Sequence, residues 1–172
     1  MSTKASIPCE VSPEPRLRAV GVSDVRAIFE LERSSFANPW TELQITEELS
    51  CELSYGLLLE SVVEQAQVLM GYAFFRLLAP EAELLKICVN SSYLRQGYAG
   101  RILAEARTVL RANGVTVLHL EVRESNLAAR KFYLREGFTE TGVRPRYYSG
   151  GENAILYSCQ RMSALAELPG GG

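Results

Sequence analysis

Leu84-Leu-Lys-Ile-Cys-Val-Asn-Ser-Ser-Tyr-Leu-Arg-Gln-Gly-Tyr-Ala-Gly-Arg-Ile-Leu-Ala-Glu-Ala-Arg107 decides the fold. Leu84 to Val89 is a short apolar run, which reads as a buried strand. From Gly100 onward, Ile102, Leu103, Ala106, Val109 and Leu110 have the spacing of a helix with one buried face. Between them lies Arg95-Gln-Gly-Tyr-Ala-Gly100, with small residues where the helix begins. A helix start carries unpaired N–H groups and positive dipole charge, and small residues let an anion approach them. Strand, Gly-rich turn and helix together therefore describe a phosphate cradle, unless the glycines merely make a tight turn. No Gly-Lys-Ser/Thr follows, so this is not a P-loop, and the Gly-x-Gly-x-x-Gly order of a dinucleotide fold is missing.

Working outward, 172 residues with 47% hydrophobic and 22% charged side chains suit one globular domain. A formal charge of −2 argues against nucleic acid held on a basic surface. Cys9, Cys51, Cys88 and Cys159 show no close pairing, and the chain has one histidine, so no metal site is expected. Reduced thiols, no apolar leader and no membrane-length apolar run make the cytoplasm the expected compartment.

Residues 1–15 read as a flexible lead, 16–161 as the single domain and 162–172 as a flexible tail. Arg16 to Val20 can form a first strand. Ser23 or Asp24 caps a helix to about Ser35, and Thr41 with Gln44 fits a capping box for a second helix fading near Cys51. Tyr55–Val63 and Val68–Leu78 read as an antiparallel hairpin turning at Glu64-Gln65, and Ala79 to Ala82 leads into the Leu84–Val89 strand. Asn113-Gly114 stops the central helix before a strand from Val115 to Val122. Ser125 or Asn126 caps a helix ending at Glu136, with Gly137 beyond it. Phe138–Val143 and Ala154–Gln160 are the last strands. The order is β-α-α-β-β-β-α-β-α-β-β: an α/β (α+β) fold with a mixed, mostly antiparallel sheet, helices on both faces and one β-α-β crossover around the Gly-rich loop.

Ile87-Cys-Val89, Arg95 to Gly100, Leu118-His-Leu-Glu-Val-Arg123, Ser125-Asn126, Tyr133 and Gly137-Phe138 resemble the GNAT superfamily of N-acetyltransferases. Leu120 to Asn126, Lys131-Phe-Tyr133, Tyr147-Tyr148 and Phe36-Ala-Asn-Pro-Trp40 are similar to its RimI type, which acetylates alanine N-termini of ribosomal proteins. The resemblance runs over roughly residues 16 to 161, with several motifs in order. One departure is Leu94, where the superfamily usually has Gln or Arg.

The resemblance implies acetyl-CoA as co-substrate, with its pyrophosphate on the backbone of Gln96, Gly97, Tyr98, Ala99 and Gly100, beside Arg95. The acetyl and pantetheine groups would run along Ile87, Cys88 and Val89, and Asn126 would both cap its helix and hold the cofactor. It makes Glu121 the general base and Tyr133 the general acid. From the residues alone, Glu121 lies opposite apolar Leu118, Leu120 and Val122, as an ion-pair partner for an Arg or as a base. Tyr133 reads as an aromatic core residue or a proton donor, His119 as a packed side chain or an assistant to Glu121, and Cys88 as a small buried hydrophobe. Phe36, Trp40, Tyr147 and Tyr148 are candidates to line a groove for the acceptor, a protein or peptide N-terminus. Alternatives are acetylation of a lysine side chain, a small amine or a broader set of N-termini, and a non-catalytic acyl-CoA-binding module.

Overall fold

The alternation of apolar residues at every second position builds one seven-stranded sheet, ordered β1-β2-β3-β4-β5-β7-β6. The computed structural model describes residues 14–63 and 65–160. The strands are β1 (Arg16–Ala19), β2 (Ser54–Val63), β3 (Ala66–Leu78), β4 (Glu81–Val89), β5 (Val117–Arg123), β6 (Thr139–Arg144) and β7 (Ala154–Cys159). Helices α1 (Val25–Ser35) and α2 (Glu42–Ser50) follow β1, α3 (Tyr98–Ala112) joins β4 to β5, and α4 (Leu127–Arg135) follows β5. Only β4 and β5 pair in parallel, as the α3 crossover requires; all other neighbours are antiparallel. The element order is therefore the expected one. The expectations for residues 1–13 and 161–172, Cys9 among them, lie outside the described residues.

Local chemistry explains the helix ends. Thr41 Oγ1 accepts from the Gln44 N–H at 3.2 Å while Gln44 Oε1 accepts from the Thr41 N–H at 2.9 Å, a reciprocal box that starts α2. Asn126 Oδ1 accepts from the Ala129 N–H at 3.1 Å and starts α4. Gly137, at φ 85°, closes α4 in the left-handed conformation that glycine adopts without strain.

Several boundaries move. The fourth strand begins at Glu81, not Leu84, because Glu81 to Leu84 pair with Val117 to Leu120. Helix α3 begins at Tyr98, since Gly97 at φ 82° already turns the chain. The strand expected from Val115 starts at Val117, because the Val115 N–H bonds back to Leu110 O at 3.0 Å and finishes α3. Phe138 does the same for α4, its N–H bonding to Tyr133 O at 3.0 Å, so β6 starts at Thr139.

Two apolar layers cover the sheet. Leu57, Leu59, Ala73, Phe75, Leu118 and Leu120 face α3 and α4, which bring Ile102, Leu103, Ala106, Leu110 and Tyr133. Leu58, Tyr72, Phe74 and Cys88 face α1 and α2, which bring Ile28, Leu31 and Ile45. A bulge breaks the β3–β4 register: Phe74 opposes Lys86 while Phe75 opposes Leu84, so Leu85 is an extra residue. Up to Leu84 the even-numbered residues of β4 face α3, and past the bulge Ile87 and Val89 do. Lys86 and Cys88 consequently turn toward α1.

Candidate active site

Beyond Leu84 and Leu120, β4 and β5 part. Strand β4 runs on to Val89 along β3, and β5 runs on to Arg123 along β7, with no pairing between them. The wedge is thus bordered by Ile87, Cys88 and Val89 on one side and by Glu121 to Arg123 on the other. Backbone groups on its β4 side have no strand partner and stay available to a ligand. Because the strands are parallel, β4 delivers the start of α3, and β5 the start of α4, to the same open end.

Arg95 at φ 62° and Gly97 at φ 82° reverse the chain into α3. The first bond closing that helix runs from the Arg101 N–H to Gly97 O at 3.0 Å, leaving the N–H groups before it without a partner in the helix. A Cβ at Gly97 would meet no atom within 4 Å, so the turn faces open space. Arg95 and Gln96 are exposed here, and Leu94 is a solvent-facing side chain.

Strand β5 alternates as expected, with Leu118, Leu120 and Val122 buried and His119, Glu121 and Arg123 on the opposite face. Glu121 is the first β5 residue past the paired stretch. Its Oε1 lies 2.6 Å from Arg144 Nη1, with side-chain exposures of 15% and 55%. An ion pair so open on its Arg side contributes little to stability, about 0–1 kcal/mol. The Glu121 carboxylate also holds the Tyr147 phenol above its usual value, through hydrogen bonding and its negative charge. His119 sits lower, in the paired half, with Nε2 3.4 Å from a Glu81 carboxylate oxygen.

Tyr133, on α4, belongs to the α3–α4 layer. It is buried among Phe132, Phe138 and Tyr157, with ring centroids at 5.2, 5.5 and 6.3 Å. Burial pushes its phenol well above the usual tyrosine value, and Tyr148 adds to the shift. Tyr148 is itself raised, first by burial and then by Glu121, and its ring carries the Arg123 guanidinium at 4.0 Å. The β6–β7 loop holding both tyrosines is fastened to the end of β5. Glu152 accepts from the Ser125 hydroxyl (2.5 Å), the Ser125 N–H (2.9 Å) and Arg123 (2.8 Å), which bring its carboxyl down to about 2.

Phe36 and Trp40 stand with the β3–β4 side of the wedge. Lys86 Nζ lies 4.4 Å from the Phe36 ring centre and 4.8 Å from that of Trp40. The thiol of Cys88 is pushed up by burial, which keeps it protonated and weakly nucleophilic. The side chain of Asn126 caps α4 through its oxygen and leaves its amide nitrogen available. Sequence reasoning does not single out Glu32, Lys86 or Arg144. The signal for Glu32 is a carboxylate one helical turn past Ile28 on the apolar stripe of α1. For Lys86 it is a charge inside an apolar strand.

A sequence profile of the acetyltransferase (GNAT) family matches residues 25–138. The chain belongs to the GNAT acetyltransferase family. The [ribosomal protein bS18]-alanine N-acetyltransferase of Haemophilus influenzae is 32% identical over 140 residues, spanning 79% of this chain and 92% of that protein. The protein of that name from Haemophilus ducreyi is 30% identical over 137 residues, 77% and 91% of the two chains. The crystal structure of the ribosomal-protein-S18-alanine N-acetyltransferase from Escherichia coli has a TM-score of 0.76 at 28% identity, covering 90% of this chain and 98% of that one. The GNAT chain described here is thus an N-acetyltransferase, of a family that uses acetyl-CoA. In this chain the open strand edge and the exposed helix start lie at one end of the sheet. Among the described residues, no group of three or more His, Cys, Asp or Glu side chains converges as metal ligands would, and no helix is long and apolar enough to cross a membrane.

Proposed function

We propose that this enzyme transfers the acetyl group of acetyl-CoA to the α-amino group of a protein N-terminus, with a ribosomal protein beginning with alanine as acceptor. The observation that carries the reading is the parting of β4 and β5 at the very residue, Glu121, whose carboxylate projects from the strand. The relatives named above supply the acceptor class.

The open backbone of Gln96 to Gly100 at the start of α3 holds the pyrophosphate, with Arg95 beside it and Asn126 nearby at the start of α4. The free edge at Ile87, Cys88 and Val89 binds the pantetheine and orients the thioester carbonyl. A free α-amine has a pKa of about 8, so most of it is protonated at neutral pH. Glu121, directly or through a water, takes the proton as the amine nitrogen bonds to the carbonyl carbon. The C–S bond then breaks and Tyr133 gives its proton to the departing sulfur. Burial keeps that phenol protonated until the thiolate appears. Phe36 and Trp40 on one side, and Tyr147 and Tyr148 on the other, line the acceptor path.

Incubation with acetyl-CoA and peptides starting with Ala, Ser or Met, or N-terminally blocked with an internal lysine, tests this by mass. The Ala peptide is expected to gain one acetyl group on its α-amine. Modification of the blocked lysine peptide alone would overturn the reading in favour of side-chain acetylation.

A further inference from the structure

The described part of α1 buries one carboxylate completely, and the chemistry above makes no use of it. Glu32 has 0% exposure, and a carboxylate buried to that extent is costly unless it is paired. Three donors from three different elements meet it. Its Oε2 accepts from the Trp40 N–H at 2.8 Å, in the loop between α1 and α2. The same oxygen lies 2.9 Å from Lys86 Nζ, on β4. Its Oε1 accepts from the Tyr72 hydroxyl, on β3. Lys86 is in turn enclosed, with 14% side-chain exposure and the Phe36 and Trp40 rings against its ammonium.

Location makes this more than a buried ion pair. Lys86 belongs to the stretch of β4 that has already left β5. It points toward α1 only because the Leu85 bulge turns it there. One end of the network therefore grips the strand bordering the wedge, and the other grips the backbone and rings of the Phe36–Trp40 loop. The loop also packs its aromatic rings on the core, with Trp40 5.7 Å from Phe74, but the Glu32–Lys86 pair is what ties it to the splayed half of β4. Buried charge networks of this kind add little net stability, yet they hold one arrangement in preference to others.

We infer that Glu32 and Lys86 are positioning residues that lock the Phe36–Trp40 loop against the splayed half of β4 and thereby set the affinity and ranking of acceptors. This rests on the reading that the loop borders the acceptor path. Neither residue touches the reacting atoms. Both act through Phe36 and Trp40.

Trp40 is the only tryptophan of the chain, so its fluorescence reports the loop without any need for turnover. The variants are Glu32→Gln, which removes the charge and sets an amide NH2 against one of the three donors, and Lys86→Met, which keeps the stem and removes the ammonium. Either variant is expected to raise acrylamide quenching of Trp40 and to shift its emission to the red. Acceptor KM should rise about 10- to 100-fold through misplacement of the loop, while acetyl-CoA affinity measured by calorimetry stays near the wild-type value. Ranking among the Ala, Ser and Met peptides should flatten. If Glu32→Gln does not fold, Lys86→Met carries the test alone. Wild-type Trp40 quenching together with wild-type acceptor KM would overturn the inference. So would a fall in melting temperature that weakens both substrates alike, since that is the mark of a purely structural role. Failure of the wild type on every N-terminal peptide would instead strike the proposed function, and Trp40 quenching would still decide the lock.

Discussion

The lower and upper halves of the β4–β5 pair are made of the same two strands and behave as different materials. In the lower half, Glu81 to Leu84 pair with Val117 to Leu120, and Leu84, Leu118 and Leu120 are buried under α3. In the upper half, Leu85 to Val89 and Glu121 to Arg123 have parted, and their side chains are polar or only half-buried more often than not. The first half closes the sheet; the second leaves backbone and carboxylate available for chemistry. On the proposed mechanism, stability and function are therefore adjacent along one strand and separable by a single residue step, from Leu120 to Glu121.

That separation can be broken at either end. Glu121→Gln, in the upper half, should lower turnover by about 10²–10⁴ while leaving the melting temperature and acetyl-CoA affinity near wild type. Raising the pH from about 7 to 9 should recover part of the loss, because the amine sheds its proton there while Tyr133, raised above its usual value of about 10, keeps its own. Unchanged turnover in this variant would pass the role to His119 or to solvent. Leu118→Ala, in the lower half, should do the reverse, costing about 2–5 kcal/mol in denaturant unfolding with kcat per folded molecule preserved. A loss of kcat at full stability there would mean that the halves are not independent.

Two smaller changes sharpen the contrast. Tyr133→Phe removes a hydroxyl from a buried ring, so turnover should fall about 10- to 100-fold for every acceptor alike, with little change in unfolding free energy. Acceptor-dependent losses would make Tyr133 a recognition residue. Gly97→Ala adds one methyl pointing into open space at φ 82°, costing about 1 kcal/mol of stability through backbone strain. Acetyl-CoA affinity, read by calorimetry, should drop several-fold more than that strain accounts for, because the methyl stands where the ligand approaches. Wild-type affinity would put the phosphate cradle elsewhere.

Much of this was legible in the sequence because the signals are local. Thr41 and Gln44, Asn126, and Gly137 each announce a helix end through bonds within a few residues. The alternation from Leu118 to Arg123 announces which way Glu121 points. What stayed hidden depends on neighbours far apart in the chain. Arg144 reaches Glu121 across the sheet, and Glu32 collects donors from Trp40, Tyr72 and Lys86. The point at which β4 leaves β5 is likewise a property of two strands at once. Val115 and Phe138 look like strand residues by composition, but each bonds back to the helix before it.

The bulge at Leu85 acts on β4 as a phase slip of half a period acts on a wave. Below it the even-numbered residues belong to the α3 layer, and above it the odd-numbered ones do. A strand that held its phase would carry the Lys86 ammonium into the apolar layer under α3 and swing Ile87 toward Glu32. Deleting Leu85 would therefore remove the bulge and leave the facing from Lys86 to Val89 as it is, whereas ironing Leu85 into a regular ladder would keep every side chain and exchange the two faces. In this molecule the working half of the strand is defined less by which residues it contains than by their being out of step with the half below.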